Sequence, residues 1–314
     1  MANTPVVVLD DTLTNIANAI RGKNGSSDKY KPGQMADAID NIPAGGIGIP
    51  REISNGVYQR PEITSFSLPS NATDVGQYAL EYAFDSYQNL TSVDLSTLTT
   101  VSGERGLYNT FHYCRKITSV DLSSLTTVSG VHSFNSAFDG CTSLTSVDLS
   151  SLTTVSGFQA FSSIFKGCTS LTSVDLSSLT TVSGKSALSY AFSGCTALTS
   201  VNLSSLTTVS STDVFVYAFR DCINLTSVNF SSLATMNSGQ PMFCAFYGCS
   251  KLTSLSFPAL TVDSFGSEVG QFDHMLSGVT GCTVHFPASI QAKIETMTGY
   301  PNFSGTNTTV LFDL

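Results

Sequence analysis

Charged side chains are scarce in this 314-residue chain: Asp, Glu, Lys and Arg together make up 12%, about half the usual share of a soluble domain. Ser and Thr take their place on the surface, so hydroxyls rather than charges must keep the chain hydrated. Basic residues are the scarcer sign, 14 Lys plus Arg against 23 Asp plus Glu, and the net charge is −9. That balance repels phosphate backbones and anionic membranes, and excludes nucleic acid as an expected partner. Long apolar runs are missing too. None approaches the roughly 18 consecutive residues that a membrane-spanning helix needs, so no membrane insertion is expected.

The start has an apolar patch, Val6 to Leu9, but no basic stretch before it and no long hydrophobic stretch after it, and is not read as a secretory signal. The end, Val310 to Leu314, carries no anchor motif. No Cys-x-x-Cys pair occurs, which argues against a zinc site. His112, His132, His274 and His285 are dispersed, with neither metal spacing nor a nucleophile beside them. Gly184-Lys185-Ser186 has the look of a phosphate loop, yet Leu179 stands where that loop needs glycine. No catalytic residues, no cofactor and no enzymatic activity are therefore expected.

What the chain has instead is a period. Val-Asp-Leu occurs at Val93 to Leu95 and again from Val120, Val147 and Val174, each step being 27 residues. The pattern continues as Val201-Asn202-Leu203, Val228-Asn229-Phe230 and Leu255-Ser256-Phe257, extends back to Phe66-Ser67-Leu68, and closes at Val284-His285-Phe286 after an insertion of two. Nine units are visible. Within one of them, Val147 and Leu149 alternate with Ser146 and Asp148, the period of a strand with one buried face. Farther along, Phe161, Ile164, Phe165 and Cys168 fall at i, i+3, i+4 and i+7, the buried stripe of a short helix. Gly167 stands where that helical turn ends, matched by Gly140, Gly194 and Gly248 and replaced by Tyr113 and Asp221. The expected fold is an α/β solenoid with one parallel sheet and short helical turns on the other side. Nine units stacked at about 4.8 Å give a rod roughly 40 Å long.

The run Ala137-Phe138-Asp139-Gly140-Cys141-Thr142-Ser143-Leu144-Thr145-Ser146-Val147, recurring over roughly residues 60 to 286, resembles the BspA-like (treponemal-type) leucine-rich repeats of bacteria. The 27-residue unit is longer than the usual one, and Tyr87 replaces Cys in the first clear copy. Residues 60–286 are thus read as the solenoid. Residues 287–314 are read as its C-terminal cap: Pro287 opens a helix with Ile290, Ile294 and Met297 inside, Gly299 ends it, and a strand over 309–312 covers the last edge. Residues 1–46 form a separate helical module, with apolar stripes Leu13, Ile16, Ala17, Ile20 and Met35, Ala36, Ile39, Ile42. This segment resembles a module of prophage tail-associated proteins. Residues 47–59 are a linker leading into the repeats.

Three columns of side chains follow from the period. Cys114, Cys141, Cys168, Cys195, Cys222 and Cys249 line up as buried free thiols, since equivalent side chains of stacked units run parallel and do not converge into disulfides. Cys244 and Cys282 lie off this ladder. Asp94, Asp121, Asp148 and Asp175 stack outward and fade to Asn202, Asn229 and Ser256. They are read as a solvated acidic stripe, with a Ca²⁺ or cationic-ligand platform as the alternative. Mutual repulsion is expected to raise their pKa values and to favour the fold as pH falls.

Specificity is expected in the stretch that varies between units, at Tyr108, His132, Phe158, Tyr190 and Tyr217. Exposed aromatics with mixed charges make a fair recognition surface, and ordinary surface drift is the competing explanation. The neighbouring Leu107, Phe134, Phe161, Leu188, Phe215 and Met242 share a buried register and are excluded. The resemblance implies a non-enzymatic module binding protein or glycan, displayed on a cell surface or released. The alternative is a receptor-facing component of a phage or prophage tail, placing the chain on a virion.

Overall fold

The computed structural model describes the backbone of residues 52–54 and 57–59, and residues 64–314 apart from 69, 71, 237–238 and 266–269. The helical module read over 1–46 lies outside the described residues, as does most of the linker. A short antiparallel pair, Glu52–Ser54 with Val57–Gln59, precedes the repeats.

From Ser65 the chain winds in coils. Strands Ser65–Ser67, Ser92–Asp94, Ser119–Asp121, Ser146–Asp148, Ser173–Asp175, Ser200–Asn202 and Ser227–Asn229 form one parallel sheet. Successive valines pair across it, Val93 with Val120, Val120 with Val147 and Val147 with Val174. Each middle residue is buried and its neighbours are exposed, so the alternation seen in Ser146-Val147-Asp148 faces as its period requires. Strand Ser254–Ser256 continues the stack into the cap.

The expectation of a single sheet is corrected. A second parallel sheet of two-residue strands runs along the next side, from Thr100–Val101 through Thr154–Val155 to Thr235–Met236. Threonine hydroxyls bind the coils together beside both sheets. Thr145 Oγ1 donates to the Thr118 carbonyl at 3.1 Å, and Thr153 Oγ1 to the Thr126 carbonyl at 3.0 Å.

The helical turns are corrected as well. In the third side of each coil, residues 159, 163 and 167 have φ of 48°, 55° and 69°, so every fourth residue is left-handed. Amides alternate in their use. Ala160, Ser162, Ile164 and Lys166 donate three residues back within the coil, while Gln159, Phe161, Ser163, Phe165 and Gly167 donate to carbonyls of the next coil at 2.8–2.9 Å. The result is a ribbon of linked β-turns. Its four-residue beat buries Phe161, Ile164, Phe165 and Cys168, the same stripe a helix would have buried.

Spacing is the physical reason. An α-helix with its side chains is about 10 Å across, whereas strands stack at about 4.8 Å. The ribbon is thin enough to sit one hydrogen bond from its neighbour, so coils keep equal spacing on the strand and turn sides alike. Tyr113 and Asp221, with φ of 54° and 57°, adopt the same left-handed conformation as Gly140, Gly167 and Gly194. Inter-coil hydrogen bonds on both flanks impose it on residues that disfavour it. Close stacking also sets Gly157, where a Cβ would collide with the carbonyl oxygen of Gly130.

One core fills the coils. Val147, Leu149, Leu152 and Val155 are buried with the phenylalanines. Phe84, Phe111, Phe138, Phe165, Phe192, Phe219 and Phe246 form a continuous column, with centroids 5.2–5.9 Å apart and interplanar angles of 4–23°.

The thiol column lies beside the rings. All eight cysteines are free and buried, and burial pushes the Cys168 and Cys195 thiols well above their ordinary range and Cys222 up to about 12. Each ladder thiol donates to the carbonyl of the phenylalanine thirty residues earlier, as Cys168 does to Phe138 at 3.2 Å and Cys195 to Phe165 at 3.0 Å. That same Phe165 carbonyl accepts the Cys168 amide at 3.0 Å. Both lone pairs of a buried carbonyl are thereby used.

After Phe286 a 3-10 turn, Ala288–Ile290, leads into a four-residue α-helix, Gln291–Ile294. Ile290, Ile294 and Met297 are buried beneath it. Strand Thr309–Leu311 then pairs in parallel with Thr283–His285.

Candidate recognition face

The turn ribbon exposes positions that the strands do not vary. Because alternate residues of the ribbon turn inward, the residues between them form columns on its outer surface. The described coils place Tyr108, His132 and Phe158 in one ring cluster and Tyr190 and Tyr217 in another.

In the first cluster Tyr82 lies 5.5 Å from Tyr108, Tyr108 6.3 Å from His132, and His132 5.0 Å from Phe158, all tilted or edge-on. Each contact steps from one coil to the next. The Arg105 guanidinium sits 5.2 Å over the Tyr108 ring and pairs with Glu81 at 3.3 Å. Burial, followed by the Arg105 charge, pulls the His132 pKa below its ordinary value, which keeps this imidazole neutral near pH 7. Phe158 is 40% exposed and Val131 beside it 42%.

The second cluster is built on stacking. Tyr190 and Tyr217 lie 5.1 Å apart at 19°, and Tyr217 meets Phe243 edge-on at 6.0 Å. Arg220 spans two rings, 5.5 Å from Tyr217 and 5.3 Å from Tyr247. Tyr82, Phe243, Arg220 and Tyr247 were not singled out from sequence, although counting 27 residues onward from Val216 and Arg220 reaches Phe243 and Tyr247. Between the clusters the face dips into an open groove of about 330 Å³, lined by Gln159, Ser186, Tyr190, Asp213, Gln240 and Phe243 among others.

Asp94, Asp121, Asp148 and Asp175 lie elsewhere, on the strand face, in register with one another and with Asn202 and Asn229. Each points its Oδ1 at the amide two residues on: Ser96, Ser123, Ser150 and Ser177 donate at 2.9–3.0 Å. Asn202 and Asn229 accept from Ser204 and Ser231 in the same way at 3.1 and 2.9 Å. The column is therefore a row of Asx turns closing the strand.

The expected rise in carboxyl pKa is corrected at two of these sites. Hydrogen bonds from the Ser96 and Ser150 side chains and amides hold Asp94 and Asp148 below the usual carboxylate range, because they stabilise the ionised form more than the neighbours oppose it. Among the described residues no group of three or more His, Cys, Asp or Glu converges to hold a metal ion, so the Ca²⁺ reading of Asp94, Asp121, Asp148 and Asp175 gains no donor set here. Among the described residues, no helix is long and apolar enough to cross a membrane.

Coils of one constant length, closed by parallel sheets and carrying a Phe-Cys-Leu-Val core, define a repeat solenoid of leucine-rich type. The family pattern of the BspA type leucine rich repeat region matches in six copies over residues 51–180, 108–238 and 161–277. The chain belongs to that family.

No curated protein matches the chain. Among solved structures it is similar to the leucine rich repeat protein TpLRR of T. pallidum, at 21% identity over 79% of this chain and 88% of that one, with a TM-score of 0.41. It is also similar to a leucine-rich repeat protein of Bacteroides ovatus (18% identity, 84% and 75% covered, TM-score 0.35) and to internalin C2 of Listeria monocytogenes (15%, 86% and 92%, TM-score 0.27). At such TM-scores none of these structures decides a detail of this one.

Proposed function

We propose that the chain is a non-enzymatic recognition module, surface-associated, that binds a protein or glycan partner through the outer surface of the turn ribbon. One observation carries this reading. The strand columns repeat Thr, Ser and Asp or Asn from coil to coil, while the ribbon changes at every coil and gathers its changes into two exposed ring clusters. Aromatics and arginines supply much of the energy of protein interfaces, and here they meet on one face.

The test is a protein and glycan array screen of the full chain beside two variants. One carries Tyr108→Ser, Phe158→Ser, Tyr217→Ser and Tyr247→Ser; the control carries Ser119→Ala, Ser146→Ala and Ser173→Ala on the strand face. Binding that falls about tenfold or more in the first and persists in the control supports the reading. Binding lost only in the control moves the site to the strands and sinks it.

A second reading, a receptor-facing part of a phage or prophage tail, draws on the sequence pattern of residues 11–21 and 35–42. Flanking genes that encode tail proteins would support it, and flanking genes unrelated to tails would remove it.

A further inference from the structure

We propose that the groove between the two ring clusters is a subsite for a neutral saccharide, with one pyranose lying on the free face of Tyr190 and its hydroxyls bound by Gln159, Ser186 and Asp213. This deepens the recognition reading and rests on it.

The free ring face follows from the column that Tyr190 occupies. Its equivalents one coil away on either side are Ser163 and Tyr217. Tyr217 covers one face at 5.1 Å. The side chain of Ser163 ends at a hydroxyl, so the opposite face has no ring against it and looks into the groove, which Gln159 and Ser162 of the Ser163 coil also line. A ring stacked on one side and open on the other is held rigid for a ligand at little entropic cost.

The polar side of the groove is a second column. Gln159, Ser186 and Asp213 stand one coil apart, at about 4.8 Å spacing. The Gln159 carboxamide and the Ser186 hydroxyl make no hydrogen bond to described residues, and the Asp213 carboxylate has the Lys185 ammonium at 3.8 Å. The floor is already committed: Ser162 Oγ donates to the Ser189 carbonyl at 3.0 Å, and Ser189 Oγ to the Asp213 carbonyl at 2.7 Å. Fixed hydroxyls below and uncommitted donors and acceptors above make a built site rather than a loose surface.

A saccharide matches this chemistry. A pyranose has a flat C–H face that fits an aromatic ring and an edge of hydroxyls that both donate and accept. Gln159 and Ser186 both donate and accept, and Asp213 accepts. Anionic ligands are disfavoured by Asp213 and by the net charge of −9. The volume, about 330 Å³, is at the lower end of small-molecule sites, which run from about 300 to 1,000 Å³, and suits one or two sugar rings.

The experiment is saturation-transfer NMR on the full chain with methyl glycosides of glucose, galactose, mannose and N-acetylglucosamine, and with adenosine as a flat, ring-stacking control. The expected result is transfer to the C–H protons of at least one glycoside and none to adenosine. Tyr190→Ala weakens that binding by about tenfold or more, and Tyr190→Phe retains it. The decisive variant is Ser163→Tyr, which lays a ring over the open face of Tyr190. The column accepts tyrosine, since Tyr82, Tyr190 and Tyr217 take φ of 55°, 56° and 52° there and Ser163 already has 55°.

Loss of glycoside binding in folded Ser163→Tyr supports the subsite. Binding of adenosine alone, of no glycoside, or of a glycoside indifferent to Ser163→Tyr overturns it. Should the arrays still show a partner that depends on the ring clusters while no glycoside binds, the recognition module stands and only the saccharide falls.

Discussion

At Asp148 the side chain serves the backbone first: its Oδ1 closes a turn with the Ser150 amide at 3.0 Å and also takes the Ser150 hydroxyl at 2.7 Å. Asparagine offers the same acceptor, and Asn202 and Asn229 use it in later coils. Asp148→Asn is therefore expected to change stability by less than about 0.5 kcal/mol near neutral pH, and Asp148→Ala to cost about 0.5–1.5 kcal/mol through loss of the turn, both measured by urea unfolding. The pH dependence has a definite sign. The folded-state pKa of Asp148 is lowered, so its contribution is complete above the unfolded carboxyl value and is lost as pH falls through the lower folded value. Thermal unfolding between pH 5 and 2 should show wild type losing stability relative to Asp148→Asn. A relative gain for wild type would restore repulsion as the dominant effect. The sequence held the signal: Asp or Asn alternates at this column while Ser stays two residues on, the signature of an Asx turn rather than of a charge ladder.

Among elements, the turn ribbon was the least legible. The stripe Phe161, Ile164, Phe165, Cys168 is compatible with a 3.6-residue helix and with a four-residue chain of turns, because both bring i, i+3, i+4 and i+7 to one side. The burial of those residues was readable, but their backbone was not, since the choice is made by pairing with coils 27 residues away. Two-residue strands such as Thr154–Val155 are too short to show any period, which is why the second sheet escaped notice. The thiol and phenylalanine columns were fully implied by spacing, whereas the ring clusters were only half visible, as Tyr82, Phe243 and Tyr247 show. Phe165 carries the strongest packing prediction. Its ring lies 5.9 Å from Phe138 and 5.8 Å from Phe192, so Phe165→Ala breaks two stacks and opens a cavity, at an expected cost of about 3–5 kcal/mol. Chemical denaturation showing a loss below 1 kcal/mol, on the order of an exposed site, would contradict the column.

For the whole molecule, translation explains the composition. In a stack with one repeat, any charge at a constant position lies about 4.8 Å from its own copy, so like repels like along the entire length. Hydroxyls escape this because each donates to a carbonyl one coil back, as Thr145 and Thr153 do. Opposite charges survive only where neighbouring coils differ, as with Lys166 and Asp139 at 3.3 Å. Equal spacing on the strand and turn sides also makes coils interchangeable. Deleting residues 149–175 joins Asp148 to Leu176 and leaves the Phe and Cys columns continuous, Phe138 then meeting Phe192. The shortened chain is expected to fold with the same circular dichroism per residue and a lower midpoint, since nearest-neighbour contacts are lost for one coil. Deleting half as many residues puts strands against turns, and that variant should not fold.

The alternate amides of the ribbon, which reach into the next coil rather than within their own, have a mechanical outcome. Pulled by its two ends, such a body holds no coil that is tied only to itself, so tension peels it from a terminus one winding at a time. Stretching a single molecule should give a sawtooth trace, each tooth releasing about 90 Å of slack for 27 extended residues.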